Sequence, residues 1–455
     1  MKGNIFSPTG LPSSINRIAW LLGAPLCLGM LLAPALWNGF PLLQYDTGGY
    51  LARWFEGTLV PSRPAAYGLL LAATAQLLFW PVLLLQAACA IWIIYVLLRE
   101  FDLDRRSFLL VAVIATLSLT TTLPFLTSIL LTDIFAGLAV IALYLLVFGR
   151  RLARWERAGI GLIAALGVAI HMATLALVVL LVALALIAAW WRADIVPRPG
   201  ARRAAFVLLL GTLMGLTANW AVSGRFGFPP GGYGILFGRM LQDGIVARYL
   251  DDHCPNPGLK LCPFRAELPR DADAFLWGES VFNRLGRFTG LGDEMQTIVL
   301  QSFYEYPWLQ IEMALAGTIA QLGKFRTGEG VVDTVWHTYG IMQRYTPVVV
   351  PSMRSARQQS GRLLLDAVNK VHLPVALFSL VALAIILVAG LRTRTPDALN
   401  LFAATVAIAL LSNAFICGAL SNPHNRYEAR LIWLAPLVVI VAVLSGDPRR
   451  IIAIC

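Results

Sequence analysis

The sequence predicts an all-α polytopic membrane protein, and three observations carry that reading. Of 455 residues, 58% are hydrophobic and 13% are charged, about half the charged fraction of a soluble domain. Apolar runs recur at close to the roughly 20 residues that a helix needs to cross the hydrocarbon core. They lack the alternation of barrel strands, which leaves helices to satisfy the backbone there.

Ten spanning helices are expected. The first, 18–37, is read as retained, because no small-residue cleavage site follows it. Next come 80–98, closed by Arg99, then 108–125 and 129–148, the latter ending at Arg150 and Arg151. The stretch 159–191 has 33 residues, too long for one crossing, and His171 divides it into 159–170 and 174–191. Helix 204–222 starts behind Arg202 and Arg203, and 373–390, 398–420 and 431–444 complete the set. This gives an N-terminal transmembrane module, 1–223, with a first outer loop at 38–66. An α-rich extracytoplasmic segment, 224–371, and C-terminal helices in 372–455 follow. Within the middle segment the amphipathic run 306–324 is expected to lie on the membrane surface.

Charge sets the orientation. One set of helix ends carries 17 Lys and Arg, from Lys2 and Arg17 through Arg99, the Arg150 to Arg157 cluster and Arg192 to Arg203, to Arg449 and Arg450. The short connections on the opposite side carry four: Arg53, Arg63, Arg426 and Arg430. The positive-inside rule puts the first set, and with it both termini, in the cytoplasm. The net charge of +11 is therefore topology, since segment 224–371 holds 15 basic and 14 acidic residues. A nucleic-acid partner is excluded for want of a basic, aromatic-studded stripe in any exposed domain.

Of six cysteines, Cys254 and Cys262 close a short Pro/Gly loop outside the cytoplasm, the setting of a structural disulfide. A zinc site with the adjacent His253 is the other reading, and it lacks a fourth ligand. In the first outer loop, Asp46 stands ahead of Gly48, Gly49, Tyr50, Leu51 and Trp54 at helical spacing, and is expected to cap that helix. Ser62-Arg63-Pro64 follows. Farther on, Thr132-Asp133 opens helix 129–148, His171 sits at a helix junction, and His424-Asn425-Arg426-Tyr427-Glu428-Ala429-Arg430 leads into the last helix. Arg426 and Arg430 are equally readable as interfacial anchors, and Tyr427 and Trp433 as belt aromatics.

This ordered set resembles the GT-C superfamily of membrane glycosyltransferases that use polyprenyl-phosphate sugars. The likeness runs through 18–190 and 398–445: an acid just past the first helix with Tyr four residues on, an Arg-Pro pair, a second acid at Asp133, a residue at the junction His171, and an Arg-Tyr segment before a Pro-containing helix. It departs where Thr47 follows Asp46 in place of a second acid, and where His171 replaces the commoner Lys. The resemblance implies a bacterial inner-membrane enzyme with a GT-C-like helix arrangement and a periplasmic active face. The sugar would pass, with inversion, from a polyprenyl-phosphate donor to an extracytoplasmic glycan, lipid or protein. Asp46 would be base or, with Mg or Mn, a metal ligand, and Asp133 the second catalytic acid. Tyr50, Arg63, His171, His424, Arg426 and Tyr427 would hold the lipid phosphate and substrate. The physical needs agree: a carboxylate to take the acceptor proton, guanidinium groups on the leaving phosphate, and an apolar groove for the lipid. A transporter or flippase of an envelope component is the alternative. It would gather its polar groups at the membrane midplane between matching halves, whereas these gather at one face. A membrane acyltransferase would want an intramembrane His beside Asn or Asp, and a partner-binding receptor would use the aromatic-rich segment 224–371.

Overall fold

A computed structural model describes residues 23–59, 61–104, 108–392 and 396–446. The start of the expected first helix, and Lys2, Arg17, Arg105, Arg106, Arg394, Arg449, Arg450 and Cys455, lie outside these residues. Among the described residues every regular element is helical, and the one β feature is an isolated parallel bridge between Leu42 and Ile129. Six of the described helices are long and apolar enough to cross a membrane: Trp80–Glu100, Met172–Trp191, Arg198–Ser223, Leu365–Leu391, Ala398–Ala419 and Asn425–Leu444. The all-α architecture is that of a polytopic membrane protein.

Six of the ten expected spans are matched among the described residues; of the others, the first begins outside those residues, Arg154–Ile170 is a shorter continuous helix, and the run 108–148 is interrupted. The run 108–148 is not two long helices: Leu109–Thr120 stops at Thr121, Pro124 opens the short helix Leu123–Ser128, and Ile134–Phe148 starts only after an irregular stretch. That stretch is tied to the first outer loop. Leu42 donates its N–H to Ser128 O at 2.9 Å, Leu130 donates to Leu42 O at 3.0 Å, and Thr47 Oγ1 donates to Leu130 O at 3.1 Å. Non-helical backbone among apolar helices persists only where other protein groups satisfy it or where it lines a cavity, and here both hold. A further apolar helix, Ala66–Thr74, continuing as the 3₁₀ turn Ala75–Leu77, lies between the expected first outer loop, 38–66, and the expected span 80–98. The last helix is interrupted at Trp433, between Asn425–Ile432 and Leu434–Leu444, three residues ahead of Pro436.

Ile134–Phe148 is buried on all sides and forms the centre of the bundle, as a uniformly apolar helix must. Around it, helices pack through small residues: a Cβ on Gly211 would lie 2.6 Å from Ala165 O, and one on Gly215 would lie 3.0 Å from Ala169 O. In lipid such close van der Waals contact, rather than water exclusion, holds helices together.

Segment 224–371 is two things. Residues from Phe237 to Val299 bury their own core, built on Phe237, Tyr249, Phe275, Phe282, Met295 and Ile298, against which Leu309 and Met313 pack. The Cys254–Cys262 disulfide closes one of its loops, while His253 stacks on Tyr249 at 4.0 Å and takes no part in a sulfur site. Residues from Phe325 to Ala356 instead join the core of the membrane body through Val335, Met342, Val349 and Met353. Helix Pro307–Leu322, expected to lie free on the membrane surface, packs along Ala398–Ala419, with Gly317 and Gly418 touching backbone to backbone.

Candidate functional site

The site is assembled at one end of the bundle from four distant pieces of chain. Helix Tyr45–Glu56 supplies Asp46. Its cap is not Asp46: Gln44 is the N-cap, its Oε1 accepting the Asp46 N–H at 2.9 Å, while Thr47 Oγ1 accepts the Gln44 N–H at 3.1 Å. Relieved of capping, the Asp46 carboxylate turns outward to two guanidiniums. Arg63 Nη2 donates to Oδ1, and Arg426 Nη1 donates to Oδ2 at 2.8 Å. Gly49 leaves room beside this pair, since a Cβ there would lie a tight 3.2 Å from the Arg63 side chain. Burial alone would raise the Asp46 pKa, but Arg63 and Arg426 hold it well below the usual carboxylate range. At neutral pH the trio therefore carries one positive charge in excess.

Arg426 is placed from below by Glu329. The Glu329 carboxylate accepts the Arg426 backbone N–H at 2.9 Å and an Asn425 side-chain N–H at 3.4 Å, capping helix Asn425–Ile432 with a negative charge where the helix end favours one. His424 leads into the same helix. Its Nδ1 lies 3.5 Å from Glu329 and its Nε2 3.2 Å from Asp273 of the 237–299 unit. Hydrogen bonds to Asp273 and then Glu329 push the His424 pKa up to about 9. Glu329, which burial alone would raise, is drawn down to about 2 by His424 and the backbone of Arg426. His424 is thus an imidazolium that joins the 237–299 unit to the site, and its charge is spent on two carboxylates rather than left for a phosphate.

One helical turn beyond Arg426, Arg430 has no exposed surface and is not an interfacial anchor. It donates to Asn413 Oδ1 from Nε at 3.1 Å and from Nη2 as well. Asn413 passes the contact on to Glu428 Oε2 at 2.9 Å. Arg430 Nη1 lies 3.9 Å from Asp133 Oδ1 and 3.2 Å from His171 Nδ1. A guanidinium has no acceptor, so His171 Nδ1 must accept, and the ring is the neutral tautomer with its proton on Nε2. His171 is therefore no cationic phosphate holder. It also meets Thr174 Oγ1 at 3.0 Å and divides Arg154–Ile170 from Met172–Trp191, the break expected from the sequence.

Asp133 and Arg426 line a common cleft with an internal volume of about 40 Å³, together with Glu329 and the apolar side chains of Leu42, Phe125, Leu126, Ile129, Leu131 and Val331. Asp133 is 3% exposed, and its Oδ1 has no hydrogen-bond partner; neither has Arg426 Nε. A polar end with unsatisfied groups and an apolar body suit an amphipathic anion. Tyr50 does not reach this cleft. It is buried against Tyr67 at a ring distance of 5.4 Å, with its hydroxyl 3.4 Å from Thr132. Tyr427 lies between the arginines, 5.2 Å from the Arg426 guanidinium and 6.0 Å from that of Arg430, rather than in a membrane belt.

The donor set does not fit a divalent cation at Asp46, because both its oxygens are engaged by guanidiniums. Among the described residues no group of three or more His, Cys, Asp or Glu could hold one. Sequence reasoning missed the part taken by Glu329, Asn413, Glu428 and Asp273, and it singled out Arg430 without its burial. Signals existed for two of them: Glu329 stands between two turn-forming glycines, and Glu428 is an acid between Arg426 and Arg430 at the head of the final apolar run. Compared with models of known families, with curated proteins and with solved structures, the chain matches none.

Proposed function

We propose that the protein is a membrane glycosyltransferase that moves a sugar from a polyprenyl-phosphate carrier to an extracytoplasmic acceptor. The observation that carries this reading is the pairing of Asp46 with Arg63 and with Arg426, the latter lining the same apolar cleft as Asp133. The lipid tail lies along Leu42, Phe125, Leu126 and Ile129, and the phosphodiester meets the two guanidiniums. Asp46 takes the acceptor hydroxyl proton, and the acceptor oxygen attacks the anomeric carbon from the side opposite the phosphate. The carbon–oxygen bond to phosphate breaks, and the polyprenyl phosphate leaves with the electron pair. Arg63 and Arg426 stabilise the charge it gains, and Asp133 is the second carboxylate, held deeper by Arg430. The reading places the protein in a bacterial inner membrane with both termini cytoplasmic and the cleft on the periplasmic face.

Full-length protein in nanodiscs, supplied with a polyprenyl-phosphate sugar and a mixture of envelope glycan and lipid acceptors, should release polyprenyl phosphate. Asp46→Asn should lower that release by about 10²- to 10⁴-fold, the usual share of a general base, with unchanged yield and helicity. Full release by the Asn variant would remove Asp46 from the chemistry.

A further inference from the structure

Asp46 presents a difficulty for its own role. A carboxylate that receives two charge-assisted hydrogen bonds is among the poorest of bases, and both Asp46 oxygens are committed in this way. Neither Arg63 nor Arg426 pairs with any other carboxylate among the described residues. Glu329 is turned to the backbone of Arg426 and to His424, and Asp133 faces Arg430. The two guanidiniums thus converge on a single anionic position, Asp46 fills it, and one positive charge is left over. Arg426 also lines the cleft shared with Asp133, and its Nε is buried and without a partner.

We infer that Asp46 is a place-holder: in the empty protein its carboxylate occupies the anion subsite between Arg63 and Arg426, and a phosphodiester of the donor displaces it and thereby frees it toward the acceptor. This rests on the donor reading proposed above. Two observations point to displacement rather than to binding alongside. The inner position between the guanidiniums is already occupied by a carboxylate of similar charge and bite. The excess is a single positive charge, which a phosphodiester with one negative charge cancels and a pyrophosphate would overshoot. The exchange also orders the reaction. The base becomes competent only once the donor is seated, so that donor precedes acceptor.

The consequence has an unusual sign: removing the proposed catalytic base should improve donor binding. The test measures equilibrium binding of a farnesyl methyl phosphodiester, with farnesol as the uncharged control, to the full chain in nanodiscs of neutral lipid. Asp46→Asn should bind the phosphodiester about tenfold more tightly than wild type, equivalent to about 1.4 kcal/mol. Asp46→Glu, which keeps a place-holder, should stay near wild type, and Arg63→Gln and Arg426→Gln should lose the preference over farnesol. Asp46→Ser gives the same comparison if the Asn variant does not fold. Phosphate- and arginine-dependent binding that is unchanged or weaker without the Asp46 carboxylate overturns the place-holder and leaves the donor reading standing. Binding that never distinguishes the phosphodiester from farnesol overturns both.

Discussion

Arg426 and Arg430 stand one turn apart on the same helix and do opposite work. Arg430 has no exposed surface, and its guanidinium meets Asn413, Cys417, His171 and, across 3.9 Å, Asp133. Arg426 keeps 16% of its side chain exposed, pairs with Asp46 alone, lines the cleft and has its Nε unanswered. The difference teaches that residue type and helical spacing do not tell a structural arginine from a chemical one. What separates them is how completely the surroundings answer their five donors. A fully answered guanidinium fastens helices together, whereas an incompletely answered one is available to a ligand.

The largest expected effect lies on the structural side. Arg430→Met strips the compensation from Asp133 and breaks the link through Asn413 to Glu428, and removing one partner of a buried charged network costs about 3–5 kcal/mol. Thermal stability in detergent and membrane yield should both fall sharply; a stable, well-expressed variant would place Arg430 with Arg426. Arg426→Gln should show the reverse pattern. Transfer should drop by about 10²- to 10³-fold, as for loss of one oxyanion donor, with far less change in melting temperature than Arg430→Met causes. Equal destabilisation by the two variants would erase the distinction.

A smaller effect is expected from the support of the Arg426 end. Gln321 donates to His424 O at 2.8 Å and accepts the His424 N–H at 3.0 Å, so helix Pro307–Leu322 holds the approach to Arg426 through its packing on Gly418. Gly418→Val drives a side chain into the Gly317 backbone, at about 1–3 kcal/mol for overpacking. Phosphodiester binding should weaken more than the Arg430 network is disturbed, as read by hydrogen exchange of Asn425–Ile432 against Leu434–Leu444.

The smallest effect is on pH. The His424 pKa is raised to about 9 in the folded protein from an ordinary value near 6.5. The docking it supplies is therefore complete below about pH 6.5 and is lost as pH rises through 9. Glu329 works in the other direction, its contribution present above its ordinary value near 4.5 and lost only as pH falls through about 2. Between pH 7 and 9.5, hydrogen exchange around residues 421–425 should rise in the wild type. In His424→Asn it should already be high and flat.

Much of the candidate site was legible in the sequence because outer-face charge is scarce. With four basic residues in the short outer connections, Arg63 and Arg426 stood out, and both meet Asp46. Arg430, from the same group of four, was equally visible, but its burial was not. The capping of Asp46 was misread because an Asp ahead of glycines is a common N-cap, whereas Gln44 took the position by reaching over the first turn. The helix breaks at Thr121 and Ser128 were hidden in apolar sequence: the contacts at Ser128 come from Leu42 and Thr47, more than 80 positions away, and beside Thr121 the Thr122 hydroxyl donates to Ala429 O, 307 positions on.

The sequence by itself determined that this chain is helical and built for a membrane, and it set an expected orientation, because hydropathy and arginine placement act locally and add along the chain. Only the tertiary structure decided which charges answer one another. Asp46 and Arg426 lie 380 positions apart, and Asn413 stands between Glu428 and Arg430 because two helices happen to cross there. Whether a buried ion is compensated depends on distances of a few ångströms, and no pattern of residues along one segment encodes a distance to another.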